Sequence, residues 1–259
     1  MIDLESLLAT GCTSDERIGI GLRGKMLSST ASLLSDRGCG GVELVGYDDP
    51  SEMSQALLRR EIDGGVRGTM SSKDVLGELR DAYGLDRILR TAVLGSADGR
   101  AFLLTPVGID EGRTLDQRME LVLATIDYLR PTGWSLKAGV LSKGRTEDGG
   151  RGEDIRRSLE EGVELVGRLR ADGIDAKHHG ILVEEAAREC DILVAPDGVT
   201  GNLMFRTLHF VGAGRAYGAP VLNLPGVFVD TSRAKEDFVE PILLAAGLSK
   251  LGCGRVGGA

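Results

Sequence analysis

Short apolar runs alternate with longer amphipathic segments along most of the chain, and this pattern predicts an α/β protein. The runs read as strands include "RIGIGL", "GVELVGY", "LKAGVLS" and "DILVAP". The clearest helix is predicted over 114–130, where apolar residues recur at helical spacing: Leu115, Met119, Val122, Ile126 and Leu129. Strands that alternate with helices in this way favour mostly parallel sheets.

One antiparallel pair is predicted within this parallel pattern. In "RTAVLGSADGRAFLLTPVG" two apolar runs flank Ala97-Asp98-Gly99, and Asp-Gly is a strong hairpin signal. Further helices are predicted over 25–37, "DDPSEMSQALLRR", "SSKDVLGELRDAYG", "VEEAAREC" and "KEDFVEPILLAA". Asp49 or Ser51 is expected to cap the second of these.

The stretch "RIGIGLRGKM" has two interpretations. Gly19, Gly21 and Gly24 have the G-x-G-x-x-G spacing with which many dinucleotide-binding proteins begin. The motif alone is weak, and an acidic ribose partner such as Glu43 or Asp48 is easily found by chance. We therefore favour a strand end whose glycines permit a tight turn.

Charge and hydropathy restrict the functional classes. The net charge is −8, so nonspecific nucleic-acid binding is not expected, and an anion site must be a local patch of Arg and backbone N–H groups. The opening "MIDLESLLAT" lacks the features of a signal peptide, and no apolar run reaches the roughly 18 residues of a membrane span. We expect a cytoplasmic protein without membrane or nucleic-acid partners.

The cysteines and histidines predict neither disulfides nor a metal site. Cys12, Cys39, Cys190 and Cys253 lie far apart without a C-x-x-C pair, and we interpret them as reduced thiols. His178 and His179 are adjacent, so on a strand they point to opposite faces. No Cys/His cluster accompanies them, and no metal ligands are predicted.

The segment 191–246 carries a family resemblance. "DILVAPDGVTGNLMFRTLHFVGAGRAYGAPVL" and "VDTSRAKEDFVEPILLAA" resemble the phosphate acetyl/butyryltransferase (phosphotransacetylase) family and the fatty-acid phosphate acyltransferases. "IDGGVRGTMSSKDVLGELRDAYG", "TPVGIDEGRTLDQRMELV" and "VLSKGRTEDGGRGEDIRRSLE" agree with it, so that the resemblance covers roughly 15–247. Within this superfamily the chain most resembles the methanogen proteins called methanogenesis marker protein 4, or MtxX. It departs from the family by a shortening after Ser232-Arg233 and by an apparent insertion, "LNLPGV".

The resemblance implies a fold and an assembly. The fold would be the two-domain isocitrate/isopropylmalate dehydrogenase type, with mostly parallel sheets and a cleft between the domains. Residues 1–107 with 230–259 would form one α/β domain, and 108–229 the other. A homodimer is implied as well.

The resemblance also implies catalytic residues. Arg233 would bind phosphate or the acyl carbonyl, because a guanidinium can form two parallel bonds to an oxyanion. Ser232 would hydrogen-bond the developing oxyanion. Asp237 would remove the proton from the thiol of CoA. The alternative for Asp237 is that it only favours a helix N-terminus.

Three loops are candidates for substrate or anion binding. At the start of the helix opened by "GVTGN", free N–H groups favour an anion, although a simple strand–helix turn would use the same residue types. "SKGRT" and "GTMSS" offer hydroxyl and cationic groups that could bind phosphate, and each is also typical of a polar surface loop. The candidate residues in these loops are Thr69, Ser71, Ser142, Lys143, Arg145, Asp197, Gly201, Asn202 and Arg206.

The leading hypothesis is acyl transfer between a CoA-type thioester and phosphate, with CoA as a substrate and no tightly bound cofactor. No Ser/His/Asp or Cys/His constellation is visible in the sequence, which fits a reaction without a covalent enzyme intermediate. Two alternatives stay open. One is a methyl-transfer role in methanogenesis on the same scaffold, and the other is a non-catalytic protein that binds an anion or CoA.

Overall fold

The computed structural model describes residues 2–232 and 237–254, and Arg233 lies outside these described residues. The helices are α1 (Leu4–Cys12), α2 (Gly24–Asp36), α3 (Pro50–Leu58), α4 (Ser72–Ala82), α5 (Leu115–Leu129), α6 (Glu153–Ala171), α7 (Val183–Glu189), α8 (Gly198–Phe210) and α9 (Val239–Lys250). The strands are β1 (Arg17–Ile20), β2 (Glu43–Gly46), β3 (Gly64–Val66), β4 (Ala92–Gly95), β5 (Ala101–Thr105), β6 (Ala138–Leu141), β7 (Ala176–Gly180), β8 (Ile192–Val194), β9 (Arg215–Pro220) and β10 (Val227–Asp230).

The chain divides into two compact units. The first unit consists of Asp3–Leu89, Tyr128–Gly133 and the chain from Tyr217 onward, and the second unit consists mainly of Arg90–Asp127 and Trp134–Ala216. The domain bounds implied by the resemblance, near 107/108 and 229/230, stay a prediction. Of the helices in the part of the chain that the structure describes, none is long and apolar enough to cross a bilayer.

The sheet of the first unit has the strand order β2-β1-β3-β10-β9. β2, β1, β3 and β10 run parallel to one another, and β9 pairs antiparallel with β10. After β1 the chain adds β2 on one side and then returns to place β3 on the other. This reversal makes a topological switch point at the carboxyl ends of β1 and β3, where ligands bind in open α/β sheets.

The sheet of the second unit has the order β4-β5-β8-β6-β7. β4 and β5 form the predicted hairpin, with Gly99 at φ +89° in its turn. β5, β8, β6 and β7 are parallel. Here the chain builds β7 beside β6 and then places β8 on the opposite side, so a second switch point lies between the carboxyl ends of β6 and β8.

The α/β class with mainly parallel sheets is confirmed, and most predicted elements are present. The sequence pattern missed α1 and β9. The predicted buried face of α5 is partly wrong, because Leu115, Met119 and Ile126 are only partly buried. The residues of α5 that the core buries are Arg118, Leu121, Val122, Thr125, Tyr128 and Leu129. Arg118 can lie inside because its Nη2 donates to Glu161 on α6 at 2.5 Å.

The expectation of four reduced cysteines is wrong for one pair. Cys12, at the end of α1, forms a disulfide with Cys39, which follows α2. Their Cα atoms lie 4.4 Å apart, although 27 residues separate them in sequence. Cys190 and Cys253 are free and buried. Burial raises the pKa of the Cys190 thiol to about 11 and that of Cys253 to about 12, so both are protonated at neutral pH.

Candidate functional site

Three parallel strands of the first unit end at one sheet edge. Gly21 follows β1, Arg67 follows β3, and Thr231 follows β10. We call this region, with Gly68, Thr69 and Ser232, the first strand-end site. It lies at the switch point of this sheet.

The turns of the first strand-end site touch each other through their backbones. A Cβ on Gly21 would lie 2.1 Å from the carbonyl oxygen of Arg67, and a Cβ on Gly68 would lie 2.4 Å from that of Gly21. Gly68 also has φ +62°, a conformation that favours glycine. On the sheet itself, a Cβ on Gly19 would lie 2.6 Å from Cδ1 of Ile62. Packing against backbone therefore accounts for Gly21 without a bound nucleotide, whereas the atom nearest a Cβ on Gly19 is the end of a flexible side chain.

A buried ion pair joins the ends of β3 and β10. Nε of Arg67 donates to Oδ1 of Asp230, and Nη1 of Arg67 donates to the carbonyl oxygen of Met70 at 2.7 Å. Only 5% of Arg67 and 8% of Asp230 are exposed. The Thr231 hydroxyl donates to the carbonyl oxygen of Gly68 at 3.2 Å. These contacts fix the backbone that leads into Ser232.

Arg67 was not among the predicted site residues. In the sequence, this arginine stands directly after the short apolar run of β3. A charged residue that is buried at such a position requires a partner. The partner, Asp230, is 163 residues away, and no local pattern shows that the two residues meet.

The predicted residues of the first unit lie at or near this edge. Thr69 is exposed, and its hydroxyl donates to the carbonyl oxygen of Gly21 at 3.0 Å. Ser71 is the N-cap of α4, and its side chain makes no capping hydrogen bond. Ser232 is partly buried just beyond β10.

Asp237 precedes α9 and makes two contacts. Its Oδ1 accepts the N–H of Val239 at 2.8 Å, and its Oδ2 lies 3.3 Å from Nη2 of Arg37. The first contact is the one expected of a carboxylate that favours a helix N-terminus. A role for Asp237 as a base stays a prediction.

The second unit brings two of the predicted loops together at its own switch point. Lys143 follows β6, Asp197 follows β8, and Nζ of Lys143 lies 3.4 Å from Oδ2 of Asp197. Oδ1 of Asp197 accepts both the N–H and the hydroxyl of Thr200, each at 2.8 Å. Partial burial alone would raise the pKa of Asp197, but the Thr200 hydrogen bonds and Lys143 outweigh it and hold the pKa below its ordinary value of 3.8.

Much of the N-terminus of α8 is occupied by the protein itself. The Gly198 N–H donates to the carbonyl oxygen of Glu111, and the Gly201 N–H donates to that of Asp197. A Cβ on Gly201 would lie 1.9 Å from the carbonyl oxygen of Pro106, so this glycine serves close packing. The N-cap of α8 is Asp197, and Asn202 lies inside the helix, where its Nδ2 donates to the carbonyl oxygen of Val107 at 2.9 Å.

Two predicted arginines of the second unit are exposed. The guanidinium carbon of Arg206 lies 5.2 Å from the ring centre of Phe210. The backbone N–H of Arg145 donates to Asp148. Neither residue has a contact that ties it to the Lys143–Asp197 pair.

Ser142 belongs to a buried network beneath α6. Its hydroxyl lies 2.9 Å from the carbonyl oxygen of Ser158 and 2.7 Å from Nε2 of His178. A carbonyl oxygen can only accept, so the hydroxyl proton goes to Ser158 and His178 donates from Nε2. Burial and the neighbouring His179 lower the pKa of His178. Gly162 leaves room for the pair, because a Cβ there would lie 2.4 Å from the Ser142 hydroxyl.

No Ser/His/Asp or Cys/His constellation was visible in the sequence, but the structure brings two histidines beside a hydroxyl or a thiol, in the Ser142–His178 and Cys190–His179 contacts. His179 lies on the opposite face of β7 from His178, as expected, and its Nε2 is 3.4 Å from Sγ of Cys190. Neither pair is an activated nucleophile, since Ser142 gives its proton to a backbone carbonyl and Cys190 is a protonated thiol. No group of three potential metal ligands is found within residues 2–232 and 237–254.

Comparison with known proteins finds relatives in methanogens. The chain is 42% identical over 212 residues to a Methanosarcina mazei protein with the provisional name methyltransferase mtx subunit X, covering 82% of this chain and 76% of that protein. It is 43% identical over 216 residues to an uncharacterized methyltransferase of Methanopyrus kandleri, covering 80% and 84%. None of the protein-family models searched matches the chain.

Solved structures with a similar fold include phosphotransacylases. A branched-chain phosphotransacylase from Enterococcus faecalis superposes with a TM-score of 0.69 at 16% identity, covering 90% of this chain and 99% of that one. A phosphotransacetylase from Streptococcus pyogenes gives 0.67 at 15% identity, covering 95% and 97%. A 4-hydroxythreonine-4-phosphate dehydrogenase from Burkholderia phymatum gives 0.55 at 13% identity, covering 95% and 94%. At these identities the likeness shows the fold alone.

Proposed function

The chain belongs to the family of methanogen proteins that includes the mtx subunit X of Methanosarcina, and from this premise we propose that it transfers an acyl group between a CoA-type thioester and phosphate. The observation that carries the proposal is the first strand-end site. Ser232 lies two residues after the end of β10, at a switch point where three parallel strands end and the Arg67–Asp230 pair fixes the backbone.

The reaction needs few chemical groups. An oxygen of phosphate attacks the thioester carbonyl carbon, the C–S bond breaks, and the proton of hydrogen phosphate ends on the sulfur of CoA. The products are an acyl phosphate and free CoA. The Ser232 hydroxyl donates to the carbonyl oxygen as negative charge develops there. Arg233 holds the phosphate. In the reverse direction Asp237 takes the thiol proton, which ends on the departing phosphate.

The proposal also assigns anion-binding groups to the strand ends of the second unit. Lys143, Arg145 and Arg206 have exposed side chains, and Arg206 lies about two turns into α8. Ser142, Gly201 and Asn202 act by holding the backbone, because their polar or close contacts are to the protein. A two-domain arrangement with a cleft, and a homodimer, are part of the proposal through the resemblance to phosphotransacetylases.

The test is a phosphorolysis assay with acetyl-CoA and butyryl-CoA. We expect phosphate-dependent release of thiol together with an equal amount of acyl phosphate. Ser232→Ala should lower kcat by about 10²–10³, as for the loss of one oxyanion donor. Ser51→Ala, on α3 of the same unit, is the matched control and should retain parent activity. No phosphate-dependent thiol release from either thioester would contradict the proposal.

Arg233 gives a second test of the same site. Arg233→Lys keeps the charge but loses the two-pronged geometry, so it should weaken phosphate binding by about 1–3 kcal/mol. Isothermal titration with phosphate measures this. If both Arg233→Lys and Arg233→Ala bind phosphate and CoA as the parent does, the role given to Arg233 is wrong.

Methyl transfer is the second candidate, because relatives that share 42–43% of their aligned residues carry methyltransferase names. The glycine triplet adds no support, since packing against backbone accounts for Gly21. Calorimetric binding of S-adenosylmethionine or a methylated pterin, without thioester turnover, would favour this candidate. Binding of CoA and phosphate without any turnover would instead favour a non-catalytic protein.

A further inference from the structure

Arg67 has more hydrogen-bonding capacity than its protein contacts use. A guanidinium carries five N–H donors. Nε binds Asp230 and Nη1 binds the carbonyl oxygen of Met70, whereas Nη2 makes no hydrogen bond to the described residues. Arg67 as a whole is 95% buried. Nη2 is therefore an unused donor on a side chain that is almost entirely inside the protein.

We propose that Arg67 is a phosphate-binding residue of the first strand-end site, presenting Nη2 to a phosphate group while Asp230 and the Met70 carbonyl hold its guanidinium in place. The proposal rests on the proposed function only in choosing phosphate as the ligand. The same chemistry could come from free phosphate or from the phosphate esters of CoA.

The geometry favours a ligand role over a purely structural one. A buried arginine that served only to join two strands would gain most from a carboxylate bound by two parallel N–H groups. Here the pair with Asp230 uses Nε alone, and Nη2 makes no hydrogen bond to the described residues. Because two fixed acceptors hold the planar group, little rotamer entropy is lost when an anion binds.

The location supports the same conclusion. Arg67 follows β3 at the switch point of the first unit, where ligands bind in open α/β sheets. Gly21 and Gly68 bring the neighbouring turns into backbone contact, so no bulky side chain separates them. The Asp230 carboxylate offsets the charge of Arg67, so that Arg67 contributes directed donors more than net charge.

Asp230 holds Arg67 in place but also puts a negative charge beside the proposed anion, so substitutions of the two residues should have different effects on binding. Arg67→Lys keeps a positive charge but loses the planar donors. Asp230→Asn keeps an acceptor for Nε and removes the negative charge beside the anion. Arg17→Lys is the matched control, because Arg17 is an exposed arginine at the start of β1, at the opposite edge of the same sheet.

The experiment is isothermal titration of the full chain with inorganic phosphate and, separately, with CoA. We expect Arg67→Lys to weaken binding about tenfold or more, Asp230→Asn to bind at least as tightly as the parent, and Arg17→Lys to match the parent. Weakening confined to the phosphate arm would identify free phosphate as the ligand, and weakening in the CoA arm would identify its phosphate esters. Either result supports the role of Arg67.

Parent-like binding by Arg67→Lys, or a parent that binds neither ligand, would overturn the inference. If Arg67→Lys fails to fold, Asp230→Asn decides, since weaker binding by that variant would overturn it as well. Thioester turnover is measured in parallel. If ligand binding depends on Arg67 but no thioester is turned over, only the proposed function is rejected. If thioester is turned over and Arg67→Lys binds its ligands as the parent does, only this inference is rejected.

Discussion

At the scale of single residues, two features determine how the interior of this chain packs. The first is the presence of buried ion pairs: Arg67 with Asp230, and Arg90 with Glu111, whose Nη2 and Oε1 lie 2.7 Å apart. An unpaired charge there would cost several kcal/mol. The second feature is the missing Cβ of glycine, which lets the turns at the ends of β1 and β3 touch.

Gly21→Ala should therefore destabilise the protein. The added Cβ would lie 2.1 Å from the backbone oxygen of Arg67, and backbone cannot move aside as a flexible side chain can. We expect a loss of about 1–3 kcal/mol in the free energy of unfolding, as for other overpacked sites. Urea denaturation measures it.

Gly77→Ala is the matched control in the same unit. Gly77 lies inside α4, and no atom is within 4 Å of its Cβ position. This variant should gain about 0.5–1 kcal/mol from helix propensity. A Gly21→Ala protein as stable as the parent, with nucleotide binding abolished, would show that the glycine triplet serves a cofactor after all.

At the scale of elements, α8 shows how a helix end becomes part of a site. Its N-cap, Asp197, satisfies the N–H of Thr200 and meets Lys143 from the end of β6. One carboxylate thus caps a helix and joins two strand ends at the switch point of the second unit. The Asp197 carboxylate lies where a bound anion would lie. An anion there therefore has to share Lys143 with Asp197 or displace Asp197 from it.

Two substitutions at Asp197 should separate the stability that it contributes as a helix cap from the stability that its charge contributes. Asp197→Ala removes the acceptor and should cost about 0.5–2 kcal/mol. Asp197→Asn keeps an acceptor for the Thr200 N–H and loses only the partly exposed pair with Lys143, so it should cost a few tenths of a kcal/mol. Urea denaturation at pH 7 checks this order, and equal losses in both variants would contradict it.

The pH dependence follows from the lowered pKa of Asp197. A carboxyl with a depressed pKa in the folded state contributes stability that is present above the unfolded value, 3.8, and lost as the pH falls through the folded value. The advantage of the parent over Asp197→Asn should therefore be constant from pH 7 to 5 and shrink below about pH 4. An advantage that shrank between pH 7 and 5 would point to another group.

At the scale of the whole molecule, one covalent link was not anticipated. The Cys12–Cys39 disulfide ties the end of α1 to the segment after α2 in the first unit. α1 also packs on α9 through glycine, since a Cβ on Gly11 would lie 2.1 Å from the carbonyl oxygen of Leu243. The disulfide thus ties the segment after α2 to a helix that itself packs closely against α9.

Reduction of this disulfide should lower stability. Closing a loop of 27 residues corresponds to about 3–4 kcal/mol in the chain-entropy treatment. A reductant should lower the Tm of the parent and leave that of the Cys12→Ser/Cys39→Ser variant unchanged. Denatured but unreduced protein should show two titratable thiols, Cys190 and Cys253. Four thiols in that sample would contradict the disulfide.

The sequence by itself determined the features that depend on neighbouring residues. Periodicity predicted most helices and strands, Asp98-Gly99 predicted the hairpin, and Asp49 was one of two predicted caps of α3, where its carboxylate accepts the Ser51 N–H at 2.8 Å. The positions of Ser142, Lys143 and Asp197 after strands also followed from local pattern.

Only the tertiary structure decided which of these positions meet. β9, "RAYGAP", has weak strand propensity and is a strand because it pairs with β10. The Arg67–Asp230 pair, the Ser142–His178 contact and the Cys12–Cys39 bond join residues 163, 36 and 27 positions apart. Local periodicity reports which face of an element is apolar, but it carries no information on which distant side chain packs against that face. The fold class was therefore readable from the sequence, whereas the partners that fix the candidate site were not.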